Sequence, residues 1–136
     1  MQIMVVDDSR AMRMIVLRTL RQAGFRDHTF TEAADGAAAL EAIKADPPDL
    51  VLSDWNMPKL SGIDLLKELK TAGCDVKFGF VTSESTPEMR EMSRQAGALF
   101  LIASRLTRTR FARYWSHSLS EKNGTAGVAN PPYPES

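Results

Sequence analysis

The sequence predicts an α/β domain: five short strands in one parallel sheet, with helices on both faces. Three observations predict it. Short apolar runs occur five times along the chain, stretches with helical spacing of apolar residues separate them, and polar side chains follow four of the five runs. Strands that alternate with helices are joined by right-handed crossovers, which forces a parallel arrangement.

Gln2 to Val6 is apolar and ends at Asp7 and Asp8, as a buried strand does. From Ser9 to Ala23, Met12, Ile15, Val16, Leu20 and Ala23 recur at mostly three- and four-residue steps, predicting one helix with that face inward and Gly24 as its stop. His28 to Glu32 alternates as a short second strand. Ala37, Leu40, Ala42 and Ile43 suit a second helix, closed by Pro47 and Pro48. Leu50 to Ser53 is a third strand ending at Asp54. Pro58 and Gly62 punctuate the loop after it. Ile63 to Ala72 is predicted helical, with Leu65, Leu66 and Leu69 inward and Gly73 closing it. Val76 to Val81 forms a fourth strand, ending at Thr82. Pro87 opens a helix to about Ala96, where its missing N–H costs little. Leu99 to Ala103 is the fifth strand. Residues 105–119 suit a last helix of poorer pattern, with Phe111, Tyr114, Trp115, Ser118 and Leu119 on one face.

The chain has 136 residues, 43% hydrophobic and 25% charged, enough for one domain with one core. We expect that domain over 1–119 and a disordered tail over 120–136, where Gly, Pro, Ser and Asn dominate. No apolar run is long enough to span a bilayer and the N-terminus lacks the pattern of an export signal, so a cytoplasmic protein without membrane contact is expected. Cys74 is the single cysteine, which excludes an internal disulfide or a thiolate metal cluster. The seven methionines read as core filler, Trp55 as an aromatic on the rim of a site, and His28 and His117 as isolated surface residues.

In a parallel sheet of this kind, sites form beyond the carboxyl ends of the strands, where the strand order reverses. Asp7 and Asp8, Asp54, Thr82 and Ser83, and Ser104 all fall there. Carboxylates gathered together repel one another, and a hard divalent cation relieves that repulsion. With the cation present one carboxylate stays charged and can attack phosphorus, giving an aspartyl phosphate. Each piece alone has a plainer reading. Asp7–Asp8–Ser9 suits a helix N-cap, Asp54 a turn and Thr82 a helix start. The joint placement at strand ends favours a site.

The segments VVDDSRAMR (5–13), LSDWNMPKLSGIDLLKEL (52–69), VTSES (81–85) and QAGALFLIA (95–103) resemble the receiver domains of two-component response regulators, with the middle segment close to the chemotaxis members. The resemblance covers about 1–103. It implies a flavodoxin-like five-stranded fold and a phosphoacceptor, Asp54. It also implies a Mg2+ site made by Asp7, Asp8, Asp54 and the backbone carbonyl of Asn56, with Asp8 preferred as a direct ligand. Thr82 becomes the switch hydroxyl, with Ser83 beside it on the phosphoryl group. The implied donor is a histidine kinase or phosphotransfer protein, and the implied output is a phosphorylation-dependent contact with a downstream protein. The domain would be a self-phosphorylating acceptor rather than an enzyme acting on a separate substrate. The family also rotates an aromatic on its fifth strand; Leu101 stands at that position, next to Phe100.

The sequence departs from the family at position 104. Receivers carry a Lys–Pro–aromatic run there, and this chain has Ser104, Arg105 and Leu106. Residues 1–103 carry 12 Lys/Arg against 15 Asp/Glu, whereas 104–136 carry 5 against 2, so the charge balance changes sign at the same point. A frameshifted terminus accounts for both: removing one A from GCC AAG CCG TTT GAC gives GCC AGC CGT TTG AC, which encodes the Ala-Ser-Arg-Leu-Thr of 103–107. A divergent but genuine terminus is the alternative. Arg105, Arg108, Arg110 and Arg113 form a basic cluster, read as a solvated face because no DNA-binding motif accompanies it. Two functions follow. One is a phosphoacceptor receiver that switches a protein–protein contact. The other is a switch-impaired receiver that acts as a constitutive binding module because Ser104 replaces the lysine.

Overall fold

In the computed structural model, residues 1–25, 27–82 and 86–103 are described. The elements run β1 (Gln2–Val6), α1 (Arg10–Leu20), β2 (Thr29–Ala33), α2 (Gly36–Ala45), β3 (Leu50–Ser53), α3 (Gly62–Thr71), β4 (Lys77–Thr82), α4 (Pro87–Gln95) and β5 (Phe100–Ala103). Ser83, Ser104 and the expected helix and tail beyond it lie outside the described residues, as does the reading of a frameshift.

The five strands form one parallel sheet in the order β2-β1-β3-β4-β5. The expected fold is therefore present, and most element ends agree within one or two residues. The order reverses between β1 and β3, which opens a crevice above their carboxyl ends. Asp54 N–H donates to the Val6 carbonyl (2.9 Å) and Asp7 N–H to the Ala33 carbonyl (3.1 Å), so the pairing continues into the crevice on both sides of β1.

Alternation along the strands divides the core in two. One face carries Met4, Val6, Val51, Phe78, Phe80 and Leu101 beneath Ile43 of α2 and Ile63, Leu66 and Leu69 of α3. The other carries Ile3, Val5, Leu50, Leu52, Phe100 and Ile102 against Val16, Leu17 and Leu20 of α1. Phe78 and Phe80 meet edge to face, centroids 5.2 Å apart. Gly79 faces Phe100 across the strand pair, and the ring occupies the space where a Cβ of residue 79 would lie, 2.3 Å away.

Serine, aspartate, serine and threonine cap the four helices in turn, at Ser9, Asp35, Ser61 and Thr86; each side chain accepts a backbone N–H from three residues on. α3 buries Leu65, Leu66 and Leu69, as their spacing predicts. α1 corrects the expectation for its inward face: Met12 is 39% and Ile15 47% exposed, while Val16, Leu17 and Leu20 are buried. The buried residues of this helix all lie in its second half, where Val16, Leu17 and Leu20 join the core beneath the sheet. The helix closes through a π-type turn, Arg21–Phe25, in which Gly24 takes φ 103°.

Three smaller expectations also change. Met12, Met14 and Met92 are exposed rather than core filler, although Met4 is buried. Trp55 is 9% exposed and packs on Phe80 at 4.9 Å between centroids, so it belongs to the core rather than the rim. His28 is half-buried, and its Nδ1 accepts from the N-terminal amine at 2.8 Å.

Candidate metal and phosphoacceptor site

Asp7, Asp8 and Asp54 meet in the crevice. One carboxylate oxygen from each lies within 4.8 Å of the others. Asp7 is buried, Asp54 half-buried and Asp8 exposed. At such separations each pair of ionised carboxylates repels by roughly 3 kcal/mol at an effective dielectric near 20.

The electrostatics record the crowding. Burial pushes the Asp7 carboxyl up to about 6; the Ser9 N–H opposes this at 2.8 Å from Oδ1, and the charges of Asp54 and Asp8 add to it. Burial also raises Asp54. There the N–H groups of Trp55 and Asn56 and the Thr82 hydroxyl favour the ionised form, while Asp8 disfavours it. Trp55 N–H donates to Asp54 Oδ1 at 2.7 Å. Thr82 is 3% exposed; its Oγ1 lies near enough to act on the Asp54 carboxylate yet has no partner at hydrogen-bond geometry among the described residues. A buried hydroxyl without a partner is uncommon, and this one borders the acidic crevice. Asn56 is exposed two residues beyond Asp54.

The loop after β3 is held at both ends. Gly62 N–H donates to the Trp55 carbonyl at 2.7 Å, and a Cβ on Gly62 would lie 2.1 Å from the Asp54 carbonyl oxygen. Gly36, at the start of α2, leaves no room for a Cβ against the Leu60 carbonyl oxygen, also at 2.1 Å. Between them Lys59 takes a left-handed φ of 71°, and its ammonium stands 3.9 Å from Asp35. Sequence reasoning found Gly62 only as loop punctuation and missed Gly36 and Lys59. A glycine directly after the Asp35 cap was the available signal for the first; nothing local marks the second.

The structure thus brings Asp7, Asp8, Asp54 and Thr82 to one edge. Leu101, on the neighbouring strand, is 1% exposed and pairs with Phe80. Thr82 pairs with Ala103.

Residues 3–112 match the response regulator receiver domain. This chain is a member of that family. Chemotaxis protein CheY-3 of Vibrio cholerae is 47% identical over 100 residues, which cover 71% of this receiver and 75% of the relative. Response regulator MprA of Mycobacterium ulcerans is 36% identical over 97 residues, covering 71% of this chain and 40% of its own length. Among solved structures, the receiver domain of the putative response regulator NarL from Mycobacterium tuberculosis superposes with a TM-score of 0.74 at 28% identity, over 90% of this chain and 96% of that one. Vibrio cholerae CheY4 gives 0.71 at 25% identity, over 88% and 96%. No helix among the described residues is long and apolar enough to cross a membrane.

Proposed function

We propose that this receiver accepts a phosphoryl group on Asp54, with Mg2+ held by Asp7, Asp8, Asp54 and the backbone carbonyl of Asn56. The carrying observation is the convergence of three carboxylates within 4.8 Å, two of them raised by burial. All-oxygen donors that repel one another suit a small hard cation. When bound, Mg2+ neutralises the cluster and polarises the oxygens of the incoming phosphoryl group.

The chain's own groups do the rest. An Asp54 carboxylate oxygen forms a bond to phosphorus as the bond from phosphorus to the donor's imidazole nitrogen breaks. That nitrogen keeps the electron pair and takes up a proton. The Trp55 N–H holds the carboxylate in position. The Thr82 hydroxyl, at the end of β4, donates to a phosphoryl oxygen, with Ser83 next in the sequence. The donor is a histidine kinase or phosphotransfer protein. The output is a contact with a downstream protein, and similarity to a chemotaxis protein supports a partner of that kind. The site works in the cytoplasm, without nucleic acid or membrane.

Incubation with a small acyl or amido phosphate and magnesium tests this. The expected result is one added phosphoryl group on the peptide carrying Asp54, absent in Asp54→Asn. Persistent labelling of Asp54→Asn places the acceptor elsewhere.

A second reading draws on Leu101. An aliphatic side chain buried at the position of the rotating aromatic favours a receiver that binds its partner constitutively. Phosphorylation without change in the amide signals of α4 and β5 selects this reading. Ser104→Lys, which restores the family's cation, strengthens that response if the switch is only impaired.

A further inference from the structure

Arg13 of α1 reaches back to the end of β1 and across to β2. Its Nε donates to Glu32 Oε1 at 2.8 Å, and its Nη1 donates to the backbone carbonyl of Asp7. The Arg13 side chain is only 13% exposed, so the fork is packed in place. The carbonyl it holds belongs to the peptide that joins Asp7 to Asp8. Fixing that peptide plane fixes the directions in which both carboxylates leave the backbone. Asp7 is pinned on its other sides too: its N–H donates to Ala33, the neighbour of Glu32 on β2, and its Oδ1 accepts from Ser9. Arg13 therefore ties α1, the end of β1 and the end of β2 into one unit around the two residues that most need restraint. Like charges in the crevice push the loop outward, and the clamp opposes that motion.

We infer that Arg13 is a positioning residue for the acidic cluster, holding the Asp7–Asp8 peptide so that the crevice takes a divalent cation. This rests on the magnesium reading above. The sign of the effect separates a clamp from a mere charge. A guanidinium near a bound cation repels it, so as a charge alone its removal strengthens magnesium binding. As a clamp, its removal weakens binding, in the way that loss of an outer partner weakens other metal sites by about tenfold or more.

The test is magnesium titration by calorimetry on the full chain and on Arg13→Met, Arg13→Lys and Glu32→Gln, with urea unfolding alongside. The expected result is that Arg13→Met weakens binding about tenfold. Arg13→Lys keeps the charge but cannot span both acceptors, and falls between the parent and Arg13→Met. Glu32→Gln weakens binding less, because the carbonyl bond survives. Should Arg13→Met fail to fold, the comparison of Arg13→Lys with the parent decides. Equal or tighter binding by the arginine variants, with a parent that binds magnesium, overturns the clamp alone. A parent that binds no magnesium overturns the metal reading and the clamp with it.

Discussion

Gly62 presses its Cα against the carbonyl oxygen of Asp54, leaving 2.1 Å where a Cβ would stand, with the Phe80 ring 2.8 Å away on the other side. Neither neighbour can give: one is backbone and the other is fully buried.

Gly62→Ala therefore forces the loop off Asp54 or distorts the start of α3. The expected cost is about 1–3 kcal/mol, the usual range for overfilling a packed site. Urea unfolding at neutral pH measures it. A midpoint equal to the parent's would show that the loop relaxes freely.

The raised Asp7 carboxyl predicts a pH dependence of the metal-free protein. Between the ordinary carboxylate value of 3.8 and about 6, the folded chain keeps the Asp7 proton while the unfolded chain has lost it. Stability thus falls as pH rises through that window and levels off above it, by roughly 3 kcal/mol at most. Asp54 shifts in the same direction. Unfolding free energies from pH 4 to 7 without magnesium should show the fall, and Asp7→Asn should flatten it. An unchanged slope in the variant would assign the effect to other groups.

Asp54→Asn removes one of three crowded charges and keeps the shape. In the absence of magnesium at pH 8 it should stabilise the fold by about 1 kcal/mol. Magnesium affinity should fall at least tenfold. Stabilisation on removing the central group of a site is the signature of repulsion held for function; a destabilised variant would mean that the carboxylate's hydrogen bonds outweigh it.

Magnesium should also quench Trp55, which directly follows Asp54 and shares its loop. Fluorescence of a Trp115→Phe variant titrated through the millimolar range isolates the signal. Unchanged emission, with binding seen by calorimetry, would show that neutralising the crevice leaves the indole's surroundings untouched.

The Gly79–Phe100 pair makes a coupled prediction. Gly79→Ala collides with a fully buried ring and should cost about 1–3 kcal/mol. Phe100→Leu should recover part of that loss. A double-mutant cycle giving a coupling near zero would mean that the ring moves aside without cost.

Much of this architecture is legible in the chain because its signals are local. A run such as Ile3 to Val6 that stops at two aspartates needs no tertiary information to be read as a buried strand with a polar end. The acidic cluster follows from that reading and the rule for parallel sheets. The face of α1 was not legible, because the spacing of Met12 and Ile15 matches a core stripe, yet Val16, Leu17 and Leu20 are the residues that pack into the core. Nothing local singles out Arg13; only the approach of Glu32, nineteen residues away, gives it a task. Trp55 likewise owes its burial to Phe80, on a strand the local sequence does not mention.

Loops ordinarily absorb added residues more readily than strands or helices do. The stretch from Trp55 to Ser61 has no such latitude, for Gly36 abuts it at Leu60 and Gly62 fastens its far end. Lengthening it by a single residue would drive Leu60 into the first turn of α2 or lift the phosphoacceptor strand from its neighbour. Descendants of this receiver that vary in length are therefore expected to do so at turns such as Gly73–Asp75, at the opposite end of the sheet, while this stretch keeps its count.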